Sequence, residues 1–185
     1  MEYVKLENRI DFMKYLPCNS VCAELGVDKG RFAQYLLRRL SPKKLYLIDP
    51  YWKKYGDTSW NNEPIKDVWE GVVKRIRKYD KNKVVTLVID DDCSFLSDLP
   101  DNFFDWIYLD TTSLYEDTLR EMEIMSHKVK DTGLICGHDW LEKPKHHIND
   151  LGVYKGVTEW LKLNPEYYLY LRDNHRQWIV KKTTE

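Results

Sequence analysis

The sequence predicts an α/β fold, with a mostly parallel sheet covered by helices on both faces. Three observations carry that expectation. Short apolar runs of strand length alternate with longer stretches whose apolar residues recur at three and four positions. The runs stop at acidic or glycine-bearing tips such as Asp49-Pro50. No internal repeat, low-complexity tract or Gly/Pro/Ser-rich linker divides the 185 residues, so one domain is expected over 1–185.

In chain order, residues 20–25 read as a buried strand. A helix follows over 30–40, with Phe32, Tyr35, Leu36 and Leu40 on one face and Arg38 and Arg39 pointing away. Residues 44–48 form a second strand. Residues 65–79 form a helix carried by Ile65, Val68, Val72 and Ile76. Strands are expected at 84–89, 106–109 and 133–136, and helices at 115–128 and 152–163. The end, 167–171 and 177–181 around Asp173-Asn174, reads as an antiparallel hairpin. In such sheets ligands bind beyond the carboxyl ends of the strands, where strand order reverses. Every predicted tip, at 24–30, 49–60, 90–93, 110–114 and 137–140, carries an acid.

Composition narrows the class of partner. Lysine and arginine total 29 against 30 aspartate and glutamate. A near-neutral chain is a poor match for gripping nucleic-acid backbone, so a nucleic-acid partner is not expected. No apolar run approaches the ~20 residues that span a bilayer, and no membrane partner is expected. The charged start, Met1 to Glu7, is unlike a secretory signal and suggests a cytoplasmic protein. Cys18, Cys22, Cys93 and Cys136 lack the paired spacing of a zinc site and are expected to be reduced thiols. Seven Trp and thirteen Tyr are many for this length, useful for cores and for stacking on flat or sugar-like ligands alike.

The first tip, Glu24-Leu25-Gly26-Val27-Asp28-Lys29-Gly30, joins a strand to a helix. Gly26 permits a tight turn, and Gly30 permits close approach of a ligand to the helix start. Asp49 follows Gly26 by 23 residues, at the end of the second strand, where an acid can accept both ribose hydroxyls. Glu24 stands where a nicotinamide fingerprint would have its first glycine, and no phosphate loop is present. An acid in that position suits a nucleoside cofactor bearing positive charge, such as S-adenosylmethionine.

These residues, with 47–52, 100–110, 132–140 and 152–157, resemble the class I S-adenosylmethionine-dependent methyltransferases, specifically the type 24 family, from about residue 20 to about 163. The resemblance implies a Rossmann-like sandwich with a seven-stranded, mostly parallel sheet whose last strand is antiparallel. It implies S-adenosylmethionine as cofactor and S-adenosylhomocysteine as product. Glu24 and Gly26 would meet the methionine end, Asp49 and Pro50 the ribose side, and Asp91 the adenine amino group, with Asp92 and Cys93 giving backbone contacts. Tyr51 and Trp52 would lie over the adenosine.

A hydroxyl acceptor needs a base or a metal to take its proton. Asp110, His138 and Asp139 occupy adjacent tips and form the candidate catalytic set, with His138 suited to act as a base at neutral pH. Where the family usually reads Asp-Gly-Asp-His-Ser-Tyr-Glu, this chain has Asp110-Thr111-Thr112-Ser113-Leu114-Tyr115-Glu116, without the second acid and the histidine. Related sugar methyltransferases hold magnesium with acids at the positions of Asp110, His138 and Asp139. A histidine there departs from the oxygen ligands that Mg²⁺ prefers, so a divalent metal is not favoured. Trp52, Tyr55, Trp60, Trp140 and His146 are the candidate acceptor-binding residues, favouring a sugar or glycan hydroxyl or a similar small molecule. The alternatives are a cofactor-binding module without activity, and N-methylation of a small molecule. An Asn/Asp-Pro-Pro-Tyr/Phe motif for nucleobase amines is absent.

Overall fold

In the computed structural model, which describes residues 2–59, 61–144 and 151–183, the strand-forming segments join one eight-stranded sheet. The elements are β1 (Glu2–Val4), a 3-10 segment (Arg9–Tyr15), β2 (Val21–Leu25), α1 (Arg31–Arg39), β3 (Lys44–Ile48), α2 (Trp52–Tyr55), α3 (Ile65–Tyr79), β4 (Val85–Val88), α4 (Asp92–Ser97), β5 (Phe104–Leu109), α5 (Tyr115–Lys128), β6 (Val129–Gly137), α6 (Gly152–Leu163), β7 (Tyr167–Asp173) and β8 (Trp178–Lys182). The spatial order is β1-β7-β8-β6-β5-β2-β3-β4. β8 alone runs antiparallel, pairing with both β6 and β7.

The sheet has one strand more than expected. β1 adds parallel to β7, with Glu2 beside Leu171. Three residues are too few to show a period of two, which is why the sequence hides this strand. The short helix α4 was also concealed, in a run of three aspartates. Asp91 is its N-cap, accepting from Ser94 N at 3.0 Å and so satisfying a free helix-start donor.

Strand order reverses between β2 and β5, which pair in parallel while the chain leaves β2 in the other direction for β3 and β4. The ends of β2, β5 and β6 therefore line one crevice. Below it lie two cores. One packs α1, α3 and the 3-10 segment against Trp106 and Tyr108; the other packs α5 and α6 against Ile107, Leu109 and Trp178. Trp106 and Trp160 serve these cores, as do the reduced, buried Cys22 and Cys136. No helix among the described residues is long and apolar enough to cross a membrane.

Gly26 fixes how closely the tips approach. Its φ of +83° lies in the left-handed region, and an added Cβ would overlap the Asp110 carbonyl group, 2.6 Å from its carbon. A Gly26→Ala change is expected to cost about 2 kcal/mol or more. For a chain of this size that lowers Tm by roughly 4–8 °C. Thermal unfolding that left Tm within about a degree of the parent would contradict this packing.

Candidate active site

The β2–α1 turn is tied to its neighbours by backbone hydrogen bonds. Gly26 N donates to Ile48 O at 2.9 Å, and Asp110 N donates to Leu25 O at 2.8 Å. Asp49 braces the turn from below: its Oδ2 accepts from Val27 N at 2.9 Å and Asp28 N at 3.0 Å, and its Oδ1 from Tyr51 N at 3.0 Å. The sequence marks Asp49 as a ribose acceptor, but three of its acceptor positions are already spent on the protein backbone. Gly30 lies off the cleft. It starts α1 at φ +65°, and its open side faces Val72 of α3.

Above the turn is a cleft of about 740 Å³, of the size that holds small molecules. Glu24, Gly26, Asp49, Pro50, Asp91, Asp92, Asp110, His138 and Asp139 all line it, so most of the expected site residues converge. Cys93 does not line it; burial pushes its thiol up to about 12, which leaves it a poor thiolate ligand. Trp140 turns into the second core, edge-on to Tyr154 at 5.3 Å and close to Trp178. Trp52 packs outside the cleft on Trp69. Each ring rests on aromatic neighbours rather than on the charged crevice, Trp140 buried and Trp52 still partly exposed. Tyr51 lines the cleft instead, with its hydroxyl donating to Asp28 O at 3.0 Å. The Tyr55 side chain, Trp60 and His146 lie outside the described residues.

The floor of the cleft is acidic. Glu24 is 2% exposed, and its Oε2 has no hydrogen-bond partner among the described residues. Burial, and then the Asp110 charge, raise its carboxyl well above the ordinary range. At the β6 tip, His138 Nδ1 lies 2.9 Å from Asp139 Oδ1 and 3.6 Å from Asp110 Oδ1. Asp139 Oδ2 accepts from Ser113 Oγ at 2.8 Å. Burial alone would raise the Asp139 carboxyl, but the bond and charge of His138, with Ser113 and Arg176, take it down to about 2. Among the described residues, two groups could present ligand atoms to a cation: Asp91–Asp92–Cys93 and Asp110–His138–Asp139.

Arg9 and Glu121 are among the cleft residues that escaped the sequence reading. Arg9 reaches in from the 3-10 segment to Asp110 Oδ2 at 2.5 Å and Tyr108 Oη at 3.1 Å. Nothing in the pattern around position 9 points to position 110. Glu121 was legible in principle. It shares the buried face of α5 with Thr118, Met122 and Met125, at helical spacing. Its Oε1 accepts from Thr111 Oγ1 at 2.6 Å, and its Oε2 is buried without a partner among the described residues.

A glycine turn at a strand-order reversal, above a buried carboxyl oxygen that has no partner among the described residues, has the layout of an α/β small-molecule site. Residues 23–140 match the model of a methyltransferase domain, Methyltransf_24, and the chain belongs to that family. S-adenosylmethionine is its cofactor. No curated protein sequence matches the chain. Solved structures share the fold at low identity. A Clostridium thermocellum protein provisionally assigned as an rRNA methylase aligns at TM-score 0.66 and 12% identity, over 94% of this chain and 95% of that one. A Klebsiella pneumoniae protein provisionally assigned as an O-methyltransferase aligns at 0.65 and 12%, over 97% and 81%. The S-adenosylhomocysteine-bound Podospora anserina methyltransferase PaMTH1 aligns at 0.63 and 12%, over 88% and 71%.

The cleft fits the cofactor. The orphaned Glu24 Oε2 can accept from a positively charged amino group, and the turn at Gly26 brings the backbone beside it.

Glu121 supplies a test of the acidic floor. Burial, then the facing Asp92, hold its carboxyl well above the ordinary range, so the folded chain binds this proton more tightly than the unfolded one. Its contribution to stability is complete below the unfolded carboxyl range and is lost as pH rises through the folded value. Glu121→Gln is therefore expected to stabilise the protein more at pH about 8 than at pH about 5, by roughly 2–4 °C in Tm per kcal/mol gained. Melting curves showing the opposite pH trend would refute the assignment.

Proposed function

We propose that this methyltransferase is O-directed, transferring the methyl group to a hydroxyl of a sugar, a glycan or a similar small hydroxylated molecule. The observation that carries the reading is the His138–Asp139 pair at the cleft wall. With Nδ1 beside the Asp139 carboxylate, the tautomer protonated on Nδ1 is favoured, and Nε2 is assigned to take the hydroxyl proton. Asp139 is kept ionised by its surroundings and can stabilise the imidazolium that results. When bound, the cofactor supplies an electrophilic methyl on sulfur. The chain's own work is to align the acceptor oxygen for in-line attack and to remove its proton.

Glu24 is assigned to the amino end of the cofactor. Asp91 and Asp92, which also line the cleft, are assigned to its adenine side. For the acceptor the wall presents the oxygens of Thr111, Thr112, Ser113 and Ser59, which can accept from a ligand hydroxyl, while their own hydrogens are donated to Glu121, Asp117, Asp139 and Asn61. Such a surface of hydrogen-bonding groups suits a polyhydroxylated molecule. The near-balance of 29 basic and 30 acidic residues favours a small acceptor over a nucleic acid.

The test is a screen of sugars, nucleotide sugars and glycans with methyl-labelled S-adenosylmethionine, followed by His138→Ala on whichever acceptor is labelled. Loss of the base is expected to lower kcat by about 10²–10⁴, with S-adenosylhomocysteine affinity unchanged. Unchanged turnover would remove His138 as the base. Cofactor binding with no labelled product across the screen would favour a binding module instead.

A further inference from the structure

The group formed by Asp110, His138 and Asp139 has the outline of a divalent-cation site, since its ligand atoms lie within 4.8 Å of one another. Its residues do not fit one. Asp110 Oδ2 is engaged by Arg9 Nη2 at 2.5 Å, and Asp139 Oδ2 by Ser113 at 2.8 Å. The remaining oxygens, one from each acid, both face His138 Nδ1. A second guanidinium, Arg176, stands 3.9 Å from Asp139. The neighbouring Thr112 hydroxyl is also committed, donating to Asp117 at 2.5 Å. A hard dication would find too few oxygens to complete six ligands. It would also sit against two fixed positive charges in a partly buried place, where such repulsion is weakly screened.

Arg9 is a built part of this corner. Its guanidinium lies over the Phe32 ring, 4.9 Å from the centroid, and donates to Tyr108 Oη. With the Gln177 amide oriented so that each donor meets an acceptor, Gln177 donates to the Arg9 carbonyl at 2.9 Å and to Asp173 at 3.1 Å, and accepts from Tyr108 Oη at 3.0 Å. Backbone and side chain are thus both held. The fully buried Gln177 and Tyr108 provide the anchor.

We propose that Arg9 is the resident cation of the acceptor corner: it occupies Asp110, excludes a divalent ion, and supplies a fixed positive charge beside the oxygen that is methylated. Arg9 lies outside residues 23–140 that match the family model, so the N-terminal segment completes the site. The proposal rests on reading this corner as the acceptor site, but its test needs no acceptor.

Mn²⁺ is titrated into the full-length protein and followed by electron paramagnetic resonance, for the parent, Arg9→Met and Arg9→Lys, with S-adenosylhomocysteine affinity and Tm measured on each. Expected is no Mn²⁺ binding below about millimolar in the parent and in Arg9→Lys. Arg9→Met, which leaves Asp110 unpaired, should bind at least about tenfold more tightly. Submillimolar Mn²⁺ binding by the parent overturns the proposal, as does an Arg9→Met protein that folds and gains no affinity. If Arg9→Met does not fold, the parent and Arg9→Lys titrations decide. Loss of S-adenosylhomocysteine binding in the parent would instead count against the methyltransferase reading itself.

Discussion

The site depends on a concentration of negative charge that the fold places where water is scarce. Glu24, Asp49 and Asp110 come from the ends of β2, β3 and β5, which backbone hydrogen bonds tie together and which the missing Cβ of Gly26 allows to approach closely. Like charges so placed are costly in a partly desolvated crevice. Asp49 is relieved by three backbone N–H groups, and Asp110 by Arg9. Glu24, whose Oε2 has no partner among the described residues, is relieved in the empty cleft by holding its proton, and can give it up to a cation brought from outside. Binding free energy for the cofactor would thus come in part from removing a penalty already present in the empty protein.

Charge relief also explains the joining of the chain's ends. The 3-10 segment carries Arg9 to the β5 tip, and the β7–β8 hairpin carries Gln177 and Asp173 beneath it. Trp178 Nε1 donates to His138 O at 2.9 Å, so the same hairpin positions the backbone of the proposed base. Residues far apart in sequence therefore set the geometry of one corner. Structural neighbours at 12% identity share the fold.

Much of this was legible in the sequence because burial imposes periodicity. The helices at 65–79, 115–128 and 152–163 coincide with α3, α5 and α6, since their apolar stripes are long and regular. The glycine turn and the acids at the tips were equally readable, because parallel sheets place ligands there. What escaped lacked a local signature. β1 is three exposed or half-buried residues, and Arg9 acts through a contact spanning 101 positions. Trp52 and Trp140 lie in the tips by sequence, yet in the fold each finds an aromatic neighbour and neither lines the cleft. Trp69 and Trp178 are those neighbours, and only the folded chain shows them.

The most direct measurement is calorimetric titration of S-adenosylhomocysteine into the parent protein and Glu24→Gln, at mildly acidic pH and in two buffers of different ionisation enthalpy. Burial favours the protonated Glu24 in the empty cleft, and a cationic amino group favours its ionised form. The parent should therefore release a proton on binding, whereas Glu24→Gln should release none and bind at least about tenfold more weakly. Equal affinity and equal proton release in the two proteins would contradict the role given to Glu24.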